Sequence, residues 1–235
     1  MISEKNFIIV LFGVILLIDT SFVYAGESLG PFTADKHTRL LLHFDGTPVK
    51  DESGNGMKVE ECRGEIVPCG KFGGAIKFSE KSDLLIVPAS VFTTDKGTFE
   101  VWINFYRYAS GAPIYTDYPH IVIFENGYKT TGGSLFTLCQ QEIVFYYHPE
   151  EMDRVVPFLF PRENIGLERW YHIALCWDKD SSKIYIDGEL KAEGTPIKMR
   201  STEHIIIGNL SPKGNAEYYF SGLMDELRIS DIVRY

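Results

Sequence analysis

The chain has no apolar run of the about 20 residues that a membrane-crossing helix needs. Its longest is the 12-residue stretch 7–18. No window of helical length repeats apolar residues at i, i+3, i+4 and i+7, which argues against a helical core. There are only four cysteines, Cys62, Cys69, Cys139 and Cys176. None has the Cys-x-x-Cys spacing of a zinc site. Positive charge is scarce: 23 Lys and Arg stand against 32 Asp and Glu, a net −9. Nothing gathers cations to displace counterions from a phosphate backbone, so nucleic acid is excluded as a partner. No coiled-coil or low-complexity segment is present either.

What is there begins with a short polar start, the apolar run 7–18, and then Val23-Tyr24-Ala25. This pattern is that of a secretory signal over 1–25, cut after Ala25. A membrane anchor is the competing reading, and the run is short for one. The product is expected outside the cytoplasm, secreted, periplasmic or at the cell surface, with no further span. A lead-in over 26–37 and one domain over 38–235 would follow. An even cysteine count suits an exported chain with disulfides. Cys62 and Cys69 enclose a short loop with Gly64 and Pro68, where a local bridge is expected. Cys139 and Cys176 fall in predicted strands, either paired across a sheet or left as buried thiols.

Strand signals run the length of the domain. Trp170-Tyr171-His172-Ile173-Ala174-Leu175-Cys176-Trp177 and Lys183-Ile184-Tyr185-Ile186 alternate with period two. The polar stretch 179–182 separates them and Asp187-Gly188 makes the next reversal, which predicts a hairpin with one buried face. Further strands are predicted at 39–44, 75–78, 83–87, 97–105, 121–125, 134–140, 142–148, 204–208 and 220–230. Glycine-rich turns lie between them. Segment 149–169, with three prolines and an apolar patch at 155–160, reads as a long connection with one edge strand. Many short strands predict an all-β fold, a two-sheet antiparallel β-sandwich of jelly-roll type.

The motifs resemble the laminin-G-like, concanavalin A-like jelly rolls. Trp170, His172 and Ala174 stand as Trp-x-His-x-Ala, followed by Tyr185-x-Asp187-Gly188 and Ile207-Gly208. The closing strand carries Gly222-x-x-Asp225-Glu226-x-Arg228-Ile229. Segments 41–46 with 51–54, and 70–78, resemble the family's opening strands. The resemblance covers about 38–235. It implies a sandwich with one structural calcium, held by a carboxylate from each end of the chain and by backbone carbonyls. Here those carboxylates would be Asp45 and Asp225. Hard oxygen ligands and an exported location suit calcium. Asp51 reads instead as a residue that caps its own turn.

By alternation Glu100, Trp102, Asn104 and Tyr106 share one face of their strand, opposite the core face of Phe99, Val101, Ile103 and Phe105. An indole face and its N–H suit a sugar ring, so these four are the candidate ligand residues. Trp170 and Trp177 read as packing, and His172 as a hydrogen-bonding scaffold residue rather than a base. Tyr106, Tyr108, Tyr115 and Tyr118 suggest an adhesive loop or plain surface packing. Relatives that cleave glycans carry Glu-x-Asp-x-x-Glu on a strand, and no such run occurs. Glu150-Glu151-Met152-Asp153 lies in a predicted loop. Asp225 and Glu226 are adjacent, so strand alternation sends them to opposite faces, which does not suit paired carboxylates. The expected function is a non-catalytic binding module for carbohydrate or a surface glycoprotein. The alternatives are a structural or protein-interaction domain and an unrecognised glycan-active enzyme.

Overall fold

The computed structural model describes residues 30–93, 95–108, 121–127, 133–139, 141–149, 156–159, 161, 164–199, 204–213 and 219–235. The expected signal, Tyr115, Tyr118 and the run 150–153 lie outside these residues.

The strands are β1 (Thr38–Leu42), β2 (Glu61–Cys62), β3 (Glu65–Val67), β4 (Ala75–Phe78) and β5 (Leu85–Pro88). Then come β6 (Gly97–Phe105), β7 (Ile121–Asn126), β8 (Ser134–Cys139), β9 (Glu142–Tyr147) and β10 (Val156–Leu159). The last are β11 (Trp170–Trp177), β12 (Ser182–Ile186), β13 (Glu189–Gly194), β14 (His204–Ile207) and β15 (Gly222–Ser230). One sheet runs β13-β12-β11-β6-β15-β4-β3, with β1 also on β15. The other runs β10-β9-β8-β7-β14-β5-β2. Among the described residues every pairing is antiparallel. The jelly-roll sandwich is as expected. The edge strand foreseen in 149–169 is β10, at the end of the second sheet. Strands β2 and β3 are two and three residues long, too short to leave a periodic signal.

The core lies between the sheets, and strand alternation fills it. Phe99, Val101, Ile103 and Phe105 of β6 point inward, as do Tyr171, Ile173, Leu175 and Trp177 of β11. Phe99 meets Phe124 across the core at a 4.7 Å centroid distance. Phe92 stands edge-on to Trp177 at 5.5 Å, the arrangement favoured by ring quadrupoles. Trp177 is fully buried, and its Nε1–H donates to the Thr93 carbonyl at 3.3 Å. Its predicted packing role is what the structure has.

One expectation changes, and the lead-in expected over 26–37 gains a contact with the sandwich. Phe32 is buried against Leu41 and Trp102, and its N–H donates to Glu226 Oε2 at 2.6 Å. Asp225 and Glu226 do not alternate. Met224, Leu227 and Ile229 are the core residues of β15, so both acids sit on the outer side. The cause is a bulge: the register with β6 shifts between Asp225 and Arg228, and Glu226 has φ 52°. A bulge adds a residue and resets the alternation.

Candidate functional site

The outer face of the first sheet centres on β6, with β11 on one side and β15 on the other. Register places Glu100 opposite Ala174 and Arg228, Trp102 opposite His172 and Asp225, and Asn104 opposite Trp170 and Leu223. Glu100, Trp102 and Asn104, three of the four candidate ligand residues, therefore stand as one row, but the protein treats its two ends differently.

Glu100 is withdrawn from solvent. It has no exposure, and Arg228 Nε donates to its Oε1 at 2.7 Å. Its Oε2 takes the Tyr235 hydroxyl at 2.5 Å and lies 3.2 Å from His172 Nε2. Tyr235 rests on Tyr185 and His172, with ring centroids 5.3 and 5.6 Å away. Burial pushes the Glu100 carboxyl up, but the His172 hydrogen bond and the Arg228 charge outweigh it and hold it at about 2. The expectation that Glu100 meets a ligand is corrected: the chain's own groups occupy both oxygens. His172 has the scaffold hydrogen bond expected of it.

The other end of the row is different. Trp102 is 8% exposed, and among the described residues its Nε1–H finds no acceptor. Asn104 Oδ1 is likewise buried without a donor. Such groups are uncommon in folded proteins, and each calls for an explanation. Trp102 packs with Leu41, Phe32, Phe72 and Trp170. Tyr106, just past the strand end, is 41% exposed, one of two large hydrophobic side chains exposed among the described residues, with Leu190 at 47%. Aromatic surface, one donor and one acceptor thus lie along two neighbouring outward positions of β6.

Next to Trp102 runs the loop 70–74. Its Phe72 N–H donates to Asp225 Oδ2 at 2.8 Å, and its Gly74 N–H to Asp45 Oδ1 at 2.7 Å. A Cβ on Gly70 would come within 2.7 Å of Asp225 Oδ2, and one on Gly73 within 2.4 Å of Asp45 Oδ1. The two acids named from sequence are therefore brought to one loop, which glycine keeps close enough to cradle them. Burial, with the Glu226 charge beside it, pushes the Asp225 carboxyl up to about 7. Among the described residues no group of three His, Cys, Asp or Glu could hold a metal. Asp51 caps its turn as expected, its Oδ1 accepting from Leu41 and Ser53 and its Oδ2 from Met57.

Sequence reasoning missed a second carboxylate–histidine pair beside that of Glu100 and His172. Glu226 Oε1 holds His43 Nδ1 at 2.7 Å. That hydrogen bond raises the His43 pKa above its ordinary value. His43 lines a cleft of about 320 Å³ formed by residues 43–50 and Glu52. The Asp225-Glu226 pair was visible in the sequence, but the bulge that turns both outward was not.

The expected Cys62–Cys69 bridge is absent, and all four cysteines are free. Cys62 belongs to β2 in the second sheet, and the chain crosses to β3 in the first sheet before reaching Cys69. Cys139 and Cys176 also sit in different sheets. Burial pushes the Cys176 thiol up to about 11, which makes it a poor nucleophile. Alkylation of the native protein is expected to label the exposed Cys62 and Cys69 and to spare Cys176 until unfolding. Protection of Cys62 and Cys69 until a reductant is added would restore the bridge.

Fold and motifs together define a concanavalin A-like jelly-roll domain. The chain belongs to the concanavalin A-like lectin/glucanases superfamily, whose laminin-G model matches residues 79–234. No curated protein matches it in sequence. Among solved structures it is similar to the binding domain of Paraclostridial Mosquitocidal Protein 1, with TM-score 0.66 and 15% identity, over 85% of this chain and 50% of that one. It is similar to domain 4 of an extracellular arabinanase from Geobacillus stearothermophilus, in complex with arabinotriose. That match has TM-score 0.64 and 18% identity, over 85% of this chain and 94% of that one. A third is the binding domain of botulinum neurotoxin DC in complex with SialylT, with TM-score 0.60 and 13% identity, over 85% of this chain and 49% of that one. The chain spans about half the length of these toxin domains. At these identities the likeness is one of fold.

Proposed function

We propose that the protein is an exported, non-catalytic binding module whose ligand is a carbohydrate or a glycan-bearing surface. The observation that carries this reading is the unpaired Trp102 Nε1–H and Asn104 Oδ1, side by side on one strand face. A sugar hydroxyl both donates and accepts, and a sugar ring lies flat on aromatic surface. Two of the structural neighbours are complexes, one with arabinotriose and one with SialylT, which supports the same use of the fold here. The non-catalytic part is supported by the acids of this face. Glu100, Asp225 and Glu226 have no exposure and accept hydrogen bonds within the protein. Sugar hydrolysis needs two carboxyl groups that reach one bond. The test is a glycan array probed with the wild type and with Trp102→Phe and Asn104→Ala.

In the same proposal Asp45, Asp225 and backbone carbonyls of the 70–74 loop hold a structural calcium. The ion would neutralise two acids and tie the opening segment to the last strand, with no chemical step of its own. Calcium is expected to raise the thermal midpoint of the EDTA-treated protein, and Asp225→Asn to abolish that shift. An unchanged midpoint in millimolar calcium would remove the ion from the account.

A further inference from the structure

We infer that the indole face of Trp102 is a ring-stacking subsite for a neutral sugar and that Lys71 is its intramolecular occupant, displaced when the sugar binds. This rests on the carbohydrate-binding reading of the same face. Lys71 Nζ sits 4.2 Å from the Trp102 ring centroid and 5.7 Å from that of Phe72. The negative face of an aromatic ring attracts an ammonium, and at exposed sites this is a weak attraction. The slightly positive C–H face of a sugar ring meets the same quadrupole, so the two compete for one surface.

The backbone around Lys71 is fixed while its side chain is not. Phe72 N is held by Asp225, Gly74 N by Asp45, and Gly70 N–H donates to the Gly73 carbonyl at 2.8 Å. Lys71 itself is exposed, and among the described residues its ammonium has no ion-pair partner. Clearing the ammonium from the indole therefore takes a rotation of the Lys71 side chain and no movement of the loop backbone. Once Lys71 swings away, the part of the ring beneath its ammonium is presented to a ligand, beside the buried Nε1–H and the neighbouring Asn104 Oδ1. Trp102 is 8% exposed because Phe32, Leu41, Phe72 and Trp170 pack around it and Lys71 lies over its ring.

The experiment has two arms. The first needs no ligand: acrylamide quenching of tryptophan fluorescence in a Trp170→Phe background, where Trp177 is sealed in the core and Trp102 reports. Lys71→Ala is expected to raise quenching and Lys71→Arg to leave it low. Equal quenching in all three overturns the inference. In the second arm arabinotriose and an arrayed glycan set are titrated against the otherwise native protein. Lys71→Ala is expected to bind about two- to fivefold tighter than wild type, the release of one exposed cation–π contact. Binding by the wild type that Lys71→Ala fails to tighten also overturns the inference. Raised quenching with no glycan bound by any variant supports Lys71 as the cover of Trp102 and overturns the sugar as what replaces it.

Discussion

Replacing Glu100 by Gln is expected to cost on the order of 3 kcal/mol at neutral pH and to lower the melting temperature by about 6–12 °C. The carboxylate is fully buried and is held by Arg228, His172 and Tyr235. Its pKa is about 2 in the folded protein against an ordinary 4.5. A depressed carboxylate contributes its full stability above the unfolded pKa and loses it as pH falls toward the folded one. The wild type should therefore weaken between about pH 4.5 and 2, and Glu100→Gln should lose this part of the acid dependence. Urea melts at pH 7 and pH 3 measure both effects. Equal stability of the two proteins at pH 7 would mean that the buried cluster only breaks even, as some buried ion pairs do.

Gly222→Ala is expected to cost about 4 kcal/mol or more, in the range reserved for overpacking against a fixed neighbour. Gly222 has φ +148°, and a Cβ there would lie 2.0 Å from the Asn104 carbonyl oxygen and 3.1 Å from Phe105 Cα. Those are backbone atoms of β6, so no side-chain rotation relieves the clash. Either β15 leaves β6 at this end or the fold is lost, and Asn104 moves in both cases. Gly46→Ala is the control, since a Cβ there meets nothing within 4 Å. Soluble yield and denaturant midpoint distinguish the two substitutions. Similar midpoints would show that the β6–β15 contact at Asn104 is slack.

The parts of this molecule legible in its sequence are those set by local period and turn chemistry. The β11–β12 hairpin alternates cleanly, and the Asp187-Gly188 reversal has φ 50° and 79°, the left-handed pair that a tight hairpin turn requires. The two faces of β6 follow from the same period. What stayed hidden depends on residues far apart in the chain. Nothing near Glu100 announces that Tyr235 covers it, and nothing near Trp102 announces Phe32. The bulge at Asp225-Glu226 has no glycine to mark its left-handed residue, so counting by twos sent one acid to the wrong side. The Cys62 and Cys69 spacing suggested a bridge because spacing alone cannot show the chain changing sheets between them. For the site, strand alternation put Glu100, Trp102 and Asn104 on one face, and the register has them there. Which members keep unused hydrogen-bonding atoms is a property of packing, and packing removed Glu100 while leaving Trp102 and Asn104.

The most direct test of the central claim is the glycan array read with wild type, Trp102→Phe and Asn104→Ala, each first shown to be folded by its melting curve. The wild type is expected to bind a defined subset of glycans. Each variant should lose about two- to tenfold in affinity, the worth of one neutral hydrogen bond. A folded wild type that binds no glycan would contradict the account and make the sandwich a protein-interaction or structural domain.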